Sequence, residues 1–524
     1  MKFIVLSHTA RLQEGSTNTT YLRTDNWNDW GKYKTLYHVH YYDGEGVSHS
    51  LGSVKIGQFN MLEGQERQER PELPDSFERL DGTFFSLGQD AEYYQKVYNL
   101  GPELQNEILS ALQDVVLNHE LYDKAATQEV MGESLLRSVT ESSVKGQFRR
   151  VIDGGARLSK FQFDYVGPKP EHGNSNPVKL EFSVIPESKP PTNIHVLIGR
   201  NGVGKTYLLN AMTRALVEEG ENKESYGKFL AQGDQPYDEG EPYNPFASIV
   251  SVTFSAFDPF DPLPENRNAT DGARYSYVGL KKIRTASDST VYIVEMKGPD
   301  ALAEEFARSA RNCVQGARAD RWRKALETLE SDSIFQIAEV ANLTSDDGDD
   351  EFKCKASKIF TRLSSGHKIV LLTITRLVEK VEERTLVIID EPEAHLHPPL
   401  LSAFVRALSD LLINRNGVAV IATHSPVVLQ EVPKSCVWKI MRNGHVVKAK
   451  RPQIETFAEN VGILTREIFG LEVTESGFHK MLADALEEDD ELDDMLDKFD
   501  GEVGSEGHFL IQSLIAVRNV EKEN

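Results

Sequence analysis

The chain has 524 residues, 40% of them hydrophobic and 27% charged, a composition that excludes a disordered or fibrous protein and leaves room for two or three globular domains. Its net charge of −23 and pI near 5.1 oppose nucleic-acid binding except through a local basic patch or a basic partner. No apolar run is long enough to span a membrane, and Phe3-Ile4-Val5-Leu6 is too short for a signal-peptide core, so a cytoplasmic chain with no membrane contact is expected.

Residues 3–6 read as a first strand. Tyr37-His38-Val39-His40-Tyr41 and Ser53-Val54-Lys55-Ile56-Gly57 alternate with strand period. His38 and His40 would share a strand face; with no third ligand in view they read as ordinary sheet histidines. Residues 90–118 predict one or two amphipathic helices. Residues 1–154 thus form an N-terminal α+β extension.

Strands over 161–165 and 178–185 flank a polar loop, and 186–192 is a turn-rich break. Residues 194–198 form a short apolar strand that runs into Gly199-Arg200-Asn201-Gly202-Val203-Gly204-Lys205-Thr206, followed by a helix over 207–217. Strand, glycine loop and helix are the setting of a phosphate loop. Backbone N–H groups around Gly199, Asn201, Gly202 and Gly204 would surround a β-phosphate. Lys205 would reach the β- and γ-phosphates, and the Thr206 hydroxyl would bind Mg²⁺.

Residues 218–245, rich in Gly, Pro and acids, predict a surface excursion. A strand over 249–254 comes next, and residues 301–343 are largely helical, with apolar stripes Leu302, Phe306, Ala310, Cys313 and Trp322, Leu326, Leu329. Two basic clusters occur here: Lys281, Lys282, Arg284, and Arg308, Arg311, Arg318, Arg321, Arg323, Lys324. Both are expected to be solvated helix faces. An acidic loop over 345–351 follows. Residues 386–389 and 418–422 are continuous apolar runs, the mark of buried parallel strands, with a helix opening at Pro398 between them.

Asp390 and Glu391 close the first of those runs. Two carboxylates at the end of a buried strand are costly without a function, and the carboxyl edge of such a sheet is where ligands bind. Asp390 is expected to hold Mg²⁺, and Glu391 to be the general base for an attacking water. His424 follows the next buried strand and is placed to hydrogen-bond a γ-phosphate. The tail, residues 451–524, carries an acidic tract over 487–494, expected to be solvated, and a final helix over 506–517. Cys313, Cys354 and Cys436 are scattered without metal or disulfide spacing, which suits a reducing compartment.

In order along the chain, the phosphate loop, Leu363-Ser364-Ser365-Gly366-His367, Asp390-Glu391 and His424 resemble the nucleotide site of ABC-type ATPases. The resemblance implies an α/β fold: an ABC-type P-loop ATPase head, with mixed sheet and helical lid, over 155–450, the lid near 295–345. It implies that Ser364, Ser365 and Gly366 open a helix aimed at the γ-phosphate of ATP held by a second subunit, in a head-to-tail homodimer that can build higher oligomers. Two departures stand out. His367 occupies a place usually taken by Gln or Glu, and no Q-loop glutamine follows the 249–254 strand, where Ser255 or Asp258 stands instead. The absence of a long heptad run between Thr206 and Leu363 counts against an SMC-type arm.

Asp390-Glu391-Pro392-Glu393-Ala394-His395-Leu396-His397-Pro398 with Ala422-Thr423-His424-Ser425-Pro426 resembles the armless bacterial ABC/AAA-type ATPases. Softer segments, Phe254-Ser255-Ala256-Phe257-Asp258-Pro259-Phe260, Tyr277-Val278-Gly279-Leu280 and Glu459-Asn460-Val461-Gly462 with Leu464, Phe469, Gly470 and Leu471, are similar to PtuA, the ATPase subunit of Septu anti-phage systems. That resemblance implies an HNH nuclease partner, PtuB, and in a retron setting a reverse transcriptase and its RNA–DNA product. A nuclease domain within the chain is not expected. The alternatives are a RecF-like DNA repair ATPase and a slow-turnover nucleotide-sensing scaffold that holds a toxin inactive.

Overall fold

The computed structural model describes every residue except 14, 30–31, 62–68, 142, 155–160, 170–175, 219–224, 232–245, 256–258, 266–272, 286–291, 315, 344–347, 414, 445, 471–476 and 524. Asp258, Leu471, Gly155 (the expected start of the ATPase head) and parts of the 218–245 and 345–351 segments lie outside the described residues.

The chain begins with a six-stranded sheet in the order Ser76–Phe77, Lys2–Leu6, Thr19–Thr24, Leu36–Tyr42, Ser48–Gln58, Phe84–Gly88. Only the pair Lys2–Leu6 and Thr19–Thr24 is parallel. Residues 90–118 form two helices, Ala91–Asn99 and Pro102–Ala111. Asp90 caps the first, and Gly101, at φ 98°, breaks the run before Pro102 opens the second. Phe3, Leu22, Tyr37, Val39, Tyr94 and Ile108 belong to one core beneath these helices. His38 is held by Asp25 Oδ2 at 3.0 Å and Ser53 Oγ at 3.2 Å.

The central sheet has seven strands in the order Arg274–Gly279, Ser248–Thr253, Thr385–Asp390, Val418–Thr423, Ile194–Ile198, Val437–Asn443, Val446–Lys450. The first six are parallel and the last pair is antiparallel. Strand alternation shares each buried strand between two cores. Ile194, Val196, Val387, Ile389, Ala419 and Ile421 face the helical side. Leu197, Leu386, Ile388, Val418 and Val420 face helix Lys205–Val217 and a small sheet made of Lys228–Ala231, Phe161–Val166 and Lys179–Val184.

The helical side carries the lid helices Pro299–Cys313, Gly316–Leu329, Ser333–Ala338 and Asp349–Arg362, then Ser365–Lys380 and Pro398–Ile413. Both predicted stripes bury there: Phe306, Ala310 and Cys313, and Trp322, Leu326 and Leu329.

The expectation that both basic clusters are solvated helix faces holds only in part. Lys281 and Lys282 lie on strand Lys281–Thr285, not on a helix; the side chain of Arg284 lies outside the described residues. Lys281 is buried, with its ammonium 2.8 Å from Phe260 O and 3.2 Å from Asp261. In the second cluster Arg308, Arg323 and Lys324 are exposed, but Arg311, Arg318 and Arg321 turn inward. Arg321 pairs with Asp90, and Arg311 lies 2.9 Å from Asp349 Oδ1. Carboxylates within reach make burial of these guanidiniums tolerable, so the segment ties the lid to the N-terminal sheet. The acidic tract is likewise not simply solvated. Asp490 is buried 2.7 Å from Lys498 Nζ, and Glu491 with Asp494 forms a capping box on helix Leu492–Lys498. The last helix runs over Ser505–Glu523, longer than expected, and Leu482, Met495 and Ile511 make a small core with it.

Candidate nucleotide site

The phosphate loop, Asp390-Glu391 and His424 leave the central sheet at its carboxyl edge. Asp390 pairs with Thr253 on one side and Ala422 on the other, and Thr423 pairs with Ile198, so the phosphate loop, Asp390-Glu391 and His424 emerge side by side.

The five buried residues of Ile194–Ile198 end at Gly199, where a Cβ would lie 2.3 Å from the carbonyl oxygen of Ile440. Gly202 and Gly204 have φ of 78° and 100°, which a side chain disfavours. Gly204 opens helix Lys205–Val217 with no side chain capping it, so the first-turn N–H groups are presented at the loop, beside exposed Asn201. Lys205 is buried and donates from Nζ to the carbonyls of Gly199 (2.9 Å) and Arg200 (3.1 Å). Burial lowers its pKa, while Glu391, Asp390 and Glu393 act in the opposite sense. Thr206 and Asp390 line one cavity, and a hydroxyl beside a carboxylate is an all-oxygen donor set suited to Mg²⁺.

Glu391 takes a left-handed conformation, φ 47° and ψ 59°, with its N–H donating to Ala422 O at 2.9 Å. A non-glycine residue in that region is strained unless its surroundings hold it there. The turn leaves its carboxylate a third exposed at the site's mouth, with Oε1 3.8 Å from His424 Nδ1. The sequence pattern does not single out Glu393, yet it makes the closer contacts. Its Oε1 accepts from Thr423 Oγ1 at 2.6 Å and from the His424 amide at 2.7 Å, and lies 3.1 Å from His424 Nδ1. The available signal is its place two residues after Glu391, on a short turn that reaches back to the end of the neighbouring strand.

Ser364 stands at the N-cap of helix Ser365–Lys380 without using its side chain as a cap, because its Oγ lies 2.6 Å from His367 Nδ1. Ser364 and Ser365 are exposed and Gly366 is buried. A Cβ on Gly366 would lie 2.3 Å from His395 O, so this helix start is pressed against the turn after Glu391. The structure therefore gathers Lys205, Thr206, Asp390, Glu391 and His424 at one edge. Ser364, Ser365 and Gly366 belong to a helix packed on the opposite face of the sheet from the phosphate-loop helix. Ser255, two residues beyond the Thr253–Asp390 pair, leaves the sheet next to Asp390.

Residues 333–430 match the family model described as "AAA domain, putative AbiEii toxin, Type IV TA system". Solved structures that resemble the fold include the ADP conformation of MJ1267, an ATP-binding cassette of an ABC transporter, at 15% identity over 61% of this chain and 98% of that one, with a TM-score of 0.31. A nucleotide-free ATP-binding cassette from an ABC transporter matches at 13% identity over 59% and 95%, with a TM-score of 0.29. The fold and site define a P-loop ATPase nucleotide-binding domain of the ABC/AAA type. Over its whole length the chain belongs to the family of protein ea59 of Escherichia phage lambda, with 40% identity across 100% of this chain and 99% of that protein. Among the described residues no helix is long and apolar enough to cross a membrane.

Proposed function

We propose that this chain hydrolyses ATP as a head-to-tail dimer, each ATP being closed between the phosphate loop of one copy and Ser364–Gly366 of the other. The supporting observation is the placement of the two helix starts on opposite faces of one sheet, neither capped by a side chain. A second copy turned head to tail lets both address the same triphosphate.

In this reading the P-loop amides and Lys205 bind the β- and γ-phosphates. Glu391 takes a proton from water as its oxygen attacks the γ-phosphorus, the bond to the ADP oxygen breaks, and Lys205 offsets the charge left on ADP. His424, steadied by Glu393, donates to the γ-phosphoryl group. A Mg²⁺ held by Thr206 and Asp390 would neutralise charge on the phosphates. The exposed Ser364 hydroxyl and the amides of Ser365 and Gly366 complete the site from the partner copy.

The same proposal assigns the cycle an output: opening and closing of the dimer gates a separate effector, for which the Septu-like segments favour an HNH nuclease. The relative in phage lambda favours a phage-borne setting for such a module.

Glu391→Gln tests the first part. ATP added to this variant is expected to drive a stable dimer in analytical ultracentrifugation, with hydrolysis reduced at least about a hundredfold. A monomeric, ATP-bound variant would overturn the dimer, and normal turnover would remove Glu391 from the role of base. Co-purification from the native operon tests the output: an HNH protein in fixed stoichiometry supports gating, and a chain that elutes alone overturns it.

A further inference from the structure

Asp332, His367 and His397 come from three separate elements and converge. Asp332 caps the lid helix Ser333–Ala338, His367 lies in the first turn of Ser365–Lys380, and His397 immediately precedes Pro398–Ile413. Asp332 Oδ1 is 3.2 Å from His367 Nε2, and Oδ2 is 3.2 Å from His397 Nε2. One ligand atom from each residue can be chosen so that all lie within 4.8 Å of one another. Nothing in the ATPase chemistry above uses these three residues as a group.

We propose that Asp332, His367 and His397 form a binding site for a divalent transition metal of the zinc class. Two imidazole nitrogens and one carboxylate oxygen are the donors such ions take, with a fourth position left for water. Ligands about 2.0–2.1 Å from a tetrahedral ion are separated from one another by about 3.3 Å. With Asp332 Oδ1 as the ligating oxygen, its 3.2 Å contact to His367 Nε2 already has that spacing. The two edges to His397 close by movement of that residue, which is half exposed, while His367 is buried and fixed.

The surroundings orient two of the ligands. Ser364 Oγ, 2.6 Å from His367 Nδ1, can accept that nitrogen's proton, leaving Nε2 as the lone-pair nitrogen that ligates. The Ile334 amide donates to Asp332 Oδ1 at 2.8 Å and holds the carboxylate in place. Binding costs one weak contact: the Leu400 amide is 3.4 Å from His397 Nδ1, and a ligating Nε2 places the ring proton on Nδ1. The loaded site pins the lid, the Ser364 helix and the segment following Glu391 to one another.

The test uses the full-length chain, stripped of metal with EDTA, desalted, and titrated with Co²⁺ in millimolar Mg²⁺ without nucleotide. One equivalent is expected to bind with visible absorption bands of low coordination number, to raise Tm, and to be displaced by Zn²⁺. His367→Gln, His397→Ala and Asp332→Asn should each weaken binding at least about tenfold. His395→Ala, which alters a histidine outside the trio, should bind as the unmodified chain does. Metal-free melting curves confirm that each variant folds, and exposed His397 supplies the variant least able to disturb the core. Absence of a stoichiometric Co²⁺ site, or equal binding by His397→Ala and Asp332→Asn, would overturn the proposal.

Discussion

Glu393 holds His424 at two points, accepting from its backbone N–H at 2.7 Å and lying 3.1 Å from its ring Nδ1. Thr423 donates to the same oxygen, so a single nearly buried carboxylate sets where the strand Val418–Thr423 ends and which way the imidazole turns.

Glu393→Gln keeps an acceptor for the His424 amide but removes the charge beside the ring. Turnover of ATP should fall about tenfold, equivalent to about 1.4 kcal/mol of transition-state stabilisation, with KM little changed. A change in KM alone would assign Glu393 to ground-state binding.

Gly366→Ala places a methyl group 2.3 Å from a backbone oxygen, that of His395, which cannot rotate away. The helix start must shift from the turn after Glu391. Stability should fall by about 1–3 kcal/mol and ATP-driven dimerisation should be lost. A fluorescent ATP analogue should still bind, since the phosphate loop lies elsewhere; loss of that binding would show that the two segments are coupled within one chain.

Asp114 is fully buried, and burial pushes its carboxyl up to about 7, against the bonds it accepts from the Val116 amide and Tyr94 hydroxyl. Its folded pKa lies above the unfolded value of about 3.9, so its contribution is complete below pH 4 and is lost as pH rises through 7. Asp114→Asn mimics the neutral form. Its Tm relative to the unmodified chain should rise between pH 4 and pH 8, by the equivalent of about 4 kcal/mol. A constant difference across that range would refute the shift.

Arg321 of the lid pairs with Asp90 of the N-terminal layer across 231 residues of sequence. Asp90 also caps helix Ala91–Asn99 and lies 3.5 Å from Arg415. Asp90→Ala should cost about 3–5 kcal/mol, because it strands buried guanidiniums and removes a cap. Arg321→Met should cost less, and the double variant less than the sum of both, as measured by chemical denaturation.

Much of the nucleotide site was legible from local pattern. The phosphate loop needs contiguous residues with particular φ values, and Asp390-Glu391 and His424 each end an apolar run whose type shows in composition alone. These signals are short-range, so one sequence determined the strands, the helices beside them and the residues at their ends.

What only tertiary structure decided is long-range pairing. Nothing local to Arg321 marks Asp90 as its partner, and the same run of arginines reads equally as a solvated face; burial against a distant carboxylate settles the matter. Glu393 gains its role from a strand that ends some thirty residues later, and Asp332, His367 and His397 meet only when three helix starts pack together. Side-chain chemistry is written in the sequence, but which groups share a low-dielectric space depends on how the layers close, and that closure places these partners.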